Sequence, residues 1–253
     1  LRCGSGECWD DVVEHAVSNG WYGAENLSII PGDVGASAVQ NIGAYGVEAK
    51  DIIHSIEALD IATAEPRVFT AEECNYSYRY SRFKDEWKGQ YVITHVTYRL
   101  SKTFVPHTSY GNIQAELDSR GISVPTARDV RDVIIGIRNA KLPDPKVEGN
   151  AGSFFMNPVV DAAFYEQLAA KYPGMPHYQA GEGKVKIPAG WLIDQCGWKG
   201  RVLGKAGVHS KQALVLVNKG GAQGADIIAL SDAVCRDVKA KFGIDIHPEV
   251  NFV

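Results

Sequence analysis

No apolar run in this 253-residue sequence reaches the roughly 20 residues that a membrane-spanning helix needs. The opening Leu1-Arg2-Cys3-Gly4 lacks the basic region and apolar stretch of a signal peptide. An excess of positive charge is also missing. Lys and Arg number 26 against 30 Asp and Glu, a net charge of −4, so no broad attraction to nucleic acid or to an anionic membrane is expected. The five cysteines, Cys3, Cys8, Cys74, Cys196 and Cys235, are odd in number, scattered, and form no CxxC pair. That spacing argues against a structural zinc site or a thioredoxin-like motif, and no metal is expected. Free thiols in a reducing cytoplasm fit best. Cys196 lies in an apolar segment and reads as core rather than nucleophile. Repeats and low-complexity segments are absent.

What is present is ordinary globular material. Hydrophobic residues make up 45% and charged residues 22%, enough for sizeable cores, and the length allows two modest domains. Trp9 to Val17 has helical apolar spacing and closes at Asn19-Gly20. Ile52–Ala62 and Arg67–Thr70 read as strands across a turn at Glu65-Pro66, and Tyr91–Leu100 as a third. Ile113–Ser119 is a short helix. Thr126 to Asp129 is a capping pattern for a helix running to Lys141 and stopping at Pro143. The Pro143-Asp144-Pro145 loop is a plausible domain boundary. Beyond it come helices at about 161–171, 189–196 and 225–242, and strands at Ala213–Val217 and Gly243–His247. Strands and helices mix without βαβ alternation, so the fold class is α+β.

Asn150-Ala151-Gly152-Ser153-Phe154-Phe155 is the densest stretch. Gly149 and Gly152 let backbone approach a ligand or take positive φ. The two phenylalanines are expected to wall Ser153 off from water, where a hydroxyl can move a proton. In the simpler reading Ser153 satisfies a local backbone group at the start of a strand. Five other stretches stand around it. They are Ile30 to Gly46, Tyr78 to Lys84, Ala189 to Cys196, His209 to Val215, and Pro248-Glu249-Val250.

In this order and spacing the chain resembles the UDP-N-acetylenolpyruvoylglucosamine reductase family, flavoenzymes of peptidoglycan precursor synthesis. Tyr110-Gly111 and the segment from Met156 to Gly200 resemble its larger, type I branch. The resemblance implies a partial FAD-binding domain of the PCMH/vanillyl-alcohol-oxidase type plus an α+β substrate-binding domain. Residues 1–142 would be the second flavin subdomain, 143–247 the substrate domain and 248–253 a return to the flavin domain. The family's Gly-rich pyrophosphate loop ending in Ser-Asn is not found among these residues. By this reading the first flavin subdomain is missing, and the chain alone is expected to bind FAD weakly or not at all.

The resemblance also implies a chemistry. NADPH reduces FAD, then an enolpyruvyl ether of UDP-N-acetylglucosamine accepts hydride at C3 and a proton at C2. Charge spreads into the substrate carboxylate as an enediolate. Arg79 would hold that carboxylate, since its fork is bidentate and cannot lose its proton. A protonated Glu249 would assist, and Ser153 would supply the proton. Flavin contacts would come from Ile30, Pro31, Gly32, Gly35, Ala36, Val39, Ile42 and Gly43. Tyr45, Tyr110, Lys141, Asn157 and Gln212 would hold the nucleotide diphosphate and sugar. Met156 and Asn251 stand where relatives often carry Lys and Arg.

Each residue also has a plainer reading. Arg79 could stack on Tyr78 or Tyr80, Glu249 could be solvated, and Lys141 could offset a helix dipole. Tyr110 could be an ordinary loop aromatic, and His209 reads as structural. Partners are limited to the small-molecule UDP-sugar, with no nucleic acid, no membrane and a monomeric state expected. Two other functions remain open on sequence. One is another flavin oxidoreductase of the same superfamily; the other is a non-catalytic nucleotide-sugar-binding lobe.

Overall fold

The computed structural model describes residues 1–252 and divides into two compact units, Leu1–Ala140 and Lys141–Val253. The first unit is built on a four-stranded antiparallel sheet. Its strands are β1 (Arg2–Gly4), β4 (Ile53–Asp60), β5 (Pro66–Thr70) and β6 (Tyr91–Tyr98), in the order β1-β6-β4-β5. Alternation buries Ile56 and Ala58 of β4 and turns Leu59 out, and an irregularity in the pairing between Ile53 and Ser55 lets Ile53 be buried as well. Helix α1 (Trp9–Ser18) buries Trp9, Val13, Ala16 and Val17, which is the spacing of one helical face. The hairpin β2 (Gly43–Ala44) and β3 (Val47–Glu48) follows helix α2 (Val34–Gln40).

Helices α3 (Ile113–Ser119) and α4 (Ala127–Lys141) form their own apolar cluster through Ile113, Leu117, Val130, Val133, Ile134 and Ile137. The capping pattern at α4 is built as its sequence implies. The Asp129 carboxylate accepts from the Thr126 backbone N–H at 2.8 Å and from its hydroxyl at 2.6 Å.

The second unit contains two sheets. One has the order β11 (Val202–Leu203), β12 (Ala206–Val208), β13 (Val215–Asn218), β7 (Asn150–Ser153). The other runs β8 (Val159–Asp161), β10 (Lys184–Lys186), β9 (Tyr178–Gln179). Helices α5 (Ala162–Lys171), α6 (Ala189–Gln195) and α7 (Gly224–Phe242) pack around a core that includes Phe154, Phe155, Leu192, Trp198, Leu216 and Phe242. Helix α7 ends at Gly243, whose φ of 72° is the left-handed cap that glycine supplies without strain.

Three sequence expectations change. Gly243–His247 is not a strand. Its alternation is real, since Ile244 and Ile246 are buried and Asp245 and His247 exposed, but it forms no ladder. It meets the segment that follows β7 through the Met156 N–H to the His247 carbonyl (3.0 Å), next to a lone bridge between Phe155 and Pro248. The Glu249 N–H closes this bridge on the Phe154 carbonyl at 2.7 Å. The strand expected from Ala213 begins at Val215, because the Val215 N–H turns back to the Gln212 carbonyl. Helix α2 has no counterpart in the sequence reading.

Candidate functional site

In the first unit the candidate residues gather around the turn after α2. Arg79 lies in a tight turn in which Ser77 and Tyr80 bond each other both ways, and it takes φ of 55°. Its Nη2 donates to the Gly43 carbonyl at 2.6 Å, and its guanidinium lies 5.2 Å over the Tyr78 ring. The stacking reading is therefore realised together with a directed hydrogen bond. Gly43 makes the approach possible, since a Cβ there would stand 2.9 Å from Arg79 Nη1.

The proposed flavin stretch divides by exposure. Pro31, Gly32 and Ala36 are exposed at the start of α2, and Gly32 has φ of 117° with open space where a Cβ would be. That is bare backbone able to lie against a ring system. Ile30, Val39 and Ile42 are half-buried against the first unit's core. Gly35 is buried, donates its N–H to the Ser5 carbonyl at 2.8 Å, and has room for no Cβ because Ser5 Cβ would be 2.9 Å away. Its missing side chain serves helix packing.

Tyr45 and Tyr110 share a corner, each backed by the other's glycine. A Cβ on Gly46 would meet Tyr110 at 3.3 Å, and one on Gly111 would meet Tyr45 at 3.6 Å. Arg138 joins them, a residue the sequence reading overlooked. Burial pushes the Tyr45 hydroxyl up and the Arg138 guanidinium down from their ordinary values, and each partly offsets the other. The available signal was an arginine one helical turn before Lys141. Lys141 itself is exposed at the C-terminal end of α4, where its charge suits the helix dipole.

In the second unit Ser153 ends β7, paired with Val215. It is exposed, not dry. Phe154 and Phe155 turn into the core instead, at 3% and 2% exposure, so they do not shield the hydroxyl. Glu249 lies alongside, its N–H donating to the Phe154 carbonyl at 2.7 Å, and is half-buried. Asn157 Oδ1 accepts the Ala189 N–H at 2.8 Å and so holds the first turn of α6. Gln212 reaches the same turn: its Oε1 accepts the Leu214 N–H at 3.3 Å and stands 3.3 Å from where a Gly190 Cβ would be. Ser153 with Glu249, and Asn157 with Gln212, are thus neighbours although far apart in sequence. His209 behaves structurally, its Nδ1 accepting the Lys211 N–H at 3.3 Å while burial lowers its pKa.

Among the described residues no group of three or more His, Cys, Asp or Glu could hold a metal ion, and no helix is long and apolar enough to cross a membrane.

Comparison with known proteins gives two family-model matches in separate stretches of the chain. The C-terminal domain model of UDP-N-acetylenolpyruvoylglucosamine reductase matches residues 144–253, and a FAD binding domain model matches residues 1–71. The chain is 59% identical over 254 residues to the UDP-N-acetylenolpyruvoylglucosamine reductase of Bacteroides fragilis, covering 100% of this chain and 75% of that protein. It is 51% identical over 253 residues to the protein of that name from Porphyromonas gingivalis, covering 100% and 75%. The one from Burkholderia vietnamiensis is 50% identical over 251 residues, covering 98% and 72%. The crystal structure of UDP-N-acetylenolpyruvylglucosamine reductase from Thermus caldophilus is similar in fold, with a TM-score of 0.66 and 21% identity over 99% of this chain and 71% of that one.

Proposed function

Because the chain belongs to the UDP-N-acetylenolpyruvoylglucosamine reductase family, we propose that it reduces the enolpyruvyl ether of UDP-N-acetylglucosamine to UDP-N-acetylmuramate in peptidoglycan precursor synthesis. It draws electrons from NADPH by way of FAD and works in the cytoplasm as a monomer. The match of residues 1–71 to a FAD binding domain and the exposed backbone at Pro31, Gly32 and Ala36 support the cofactor, against the expectation of weak binding that followed from the missing pyrophosphate loop, so FAD is supplied in excess in the test. When bound, FAD supplies the hydride equivalent that the substrate receives at C3.

The chain's own residues do the rest. Arg79 holds the substrate carboxylate, where charge develops after hydride addition, and keeps its own proton throughout. Glu249 assists there. Ser153 gives its proton to C2. Tyr45, Tyr110, Lys141, Asn157 and Gln212 hold the diphosphate and sugar. Gln212 fixes its Oε1 on Leu214, so its amide N–H groups are the end that would meet an anion.

The observation that carries this reading is Ser153, exposed at the end of β7, with Glu249 bonded through its N–H to the carbonyl of the next residue, Phe154. The nearness of a hydroxyl and a carboxyl on one edge supports the roles proposed for them. The test supplies the purified protein with FAD, NADPH and the enolpyruvyl UDP-sugar. Beyond the one equivalent that reduces the flavin, NADPH should be consumed anaerobically only with that substrate present, and mass spectrometry should show a product heavier by two hydrogens. NADPH consumption driven equally by unrelated alcohols or sugars would point to a different flavin oxidoreductase.

A further inference from the structure

The turn that carries Arg79 is laced to the end of α2 by hydrogen bonds from nearly consecutive residues. Ser81 Oγ donates to the Val39 carbonyl at 2.6 Å, and Asn41 Nδ2 donates to the Ser77 carbonyl at 2.7 Å. Arg79 itself donates to the Gly43 carbonyl at 2.6 Å. Lys84 closes the lacing from the other side. Its ammonium donates to Gln40 Oε1 at 2.6 Å and to the carbonyl of Arg79 at 3.0 Å. A lysine ammonium has donors enough to serve both acceptors at once. Lys84 is half-buried and follows the buried Phe83, which anchors its 3₁₀ turn.

We infer that Lys84 is a positioning residue for Arg79: by tying the Arg79 carbonyl to α2 it fixes the left-handed backbone from which the guanidinium is aimed. Two features make such a tie necessary. A bulky residue at φ of 55° persists only where its surroundings over-determine it. The same peptide also sets the direction of the side chain that reaches Gly43. Of the residues in the lacing, Lys84 bonds both the α2 end and the backbone of Arg79 itself. The inference rests on Arg79 being the carboxylate-holding residue proposed above, and the experiment separates the two.

The protein is prepared as Lys84→Met, Arg79→Lys and the double variant. Methionine keeps the stem's packing and removes both hydrogen bonds. Reduction of the enolpyruvyl substrate should fall about 10- to 100-fold in Lys84→Met, the scale of a small misplacement of a catalytic group. Flavin reduction by NADPH and the melting temperature should stay near wild type. In the Arg79→Lys background, Lys84→Met should cost less than about threefold more, because a residue acting through Arg79 has nothing left to act on. An inactive Arg79→Lys beside a fully active Lys84→Met overturns the inference while leaving the assignment of Arg79 standing. Full additivity in the double variant overturns it too, as does equal slowing of both half-reactions in Lys84→Met. A fully active Arg79→Lys removes the assignment of Arg79, and the inference with it.

Discussion

A hydroxyl that only gives a proton at C2 and a hydroxyl that holds the substrate fail in different ways when removed. With Ser153→Ala, a pure proton donor leaves flavin reduction by NADPH at its normal rate. Reoxidation by the enolpyruvyl substrate should fall by several powers of ten, beyond the roughly 10²–10⁴ typical of general acid catalysis. Substrate affinity should change little, since the hydroxyl acts mainly in the transition state. Stopped-flow measurement of both halves decides it; equal slowing of both would make Ser153 a residue of the fold or of flavin binding. The exposure of Ser153 also sets it apart from the thiols. Burial pushes the Cys74 thiol up to about 12, and raises Cys3, Cys196 and Cys235 as well. Cys8 is exposed. Brief treatment of the folded protein with N-ethylmaleimide at neutral pH should therefore label Cys8 first, with Cys74 reacting only after denaturation. Rapid labelling of Cys74 on peptide mass mapping would contradict its burial.

At the scale of elements, α1 and α4 are clamped by charge. Asp10 and Glu14 stand one turn apart on α1, and Arg131, only 4% exposed, reaches both from α4. Its Nη1 donates to Asp10 and its Nε to Glu14, each at 2.7 Å, while Arg128 grips Glu14 at 2.6 and 2.7 Å. Burial alone would raise Asp10, but the Arg131 fork and the Ile29 N–H outweigh it and hold the carboxyl below its usual range. The two arginines bring Glu14 down to about 2 from 4.5. Both folded values are depressed, so the stability they contribute is complete above the unfolded carboxylate range. It is lost as pH falls from about 4.5 toward about 2. Arg131→Met should cost roughly 3 kcal/mol at neutral pH, because it leaves the partly buried Asp10 without its arginine, while Glu14 keeps Arg128. In urea denaturation followed across pH, the gap to wild type should narrow through that acid window. A gap independent of pH would mean that Arg131 acts by packing alone.

For the molecule as a whole, legibility in the sequence tracked how local each interaction is. The helices α1, α4 and α7 were readable because one apolar face repeats along several turns, and the short α3 because Ile113 and Leu117 stand one turn apart ahead of Arg120-Gly121. Helix α2 was not. Its buried face is Val34, Gly35, Ser37 and Ala38, too small and too polar to show as an apolar stripe, and it is fixed by distant groups, with Gly35 against Ser5 and Ser37 Oγ 2.8 Å from the Tyr98 hydroxyl. Strands β8 to β12, of two or three residues each, exist only through pairing that one sequence does not display. Nothing local to residue 153 tells where Phe154 and Phe155 will turn, so the expected dry serine became an exposed one. Likewise the nearness of Glu249 to Ser153 came from family likeness alone, since no periodicity links positions so far apart. The cores of the two units share no residue, and each is held by burial rather than by any motif. Leu192, fully buried among Ile193, Trp198 and Phe242, lies in a segment singled out for its apolar character. Leu192→Ala should cost about 2–5 kcal/mol, the transfer free energy of the lost atoms plus that of the cavity left behind. The loss should be read as faster hydrogen exchange at the amides of β13 and α7, which line the same core. Unchanged protection there would mean that the second unit is held by something other than the packing around α6.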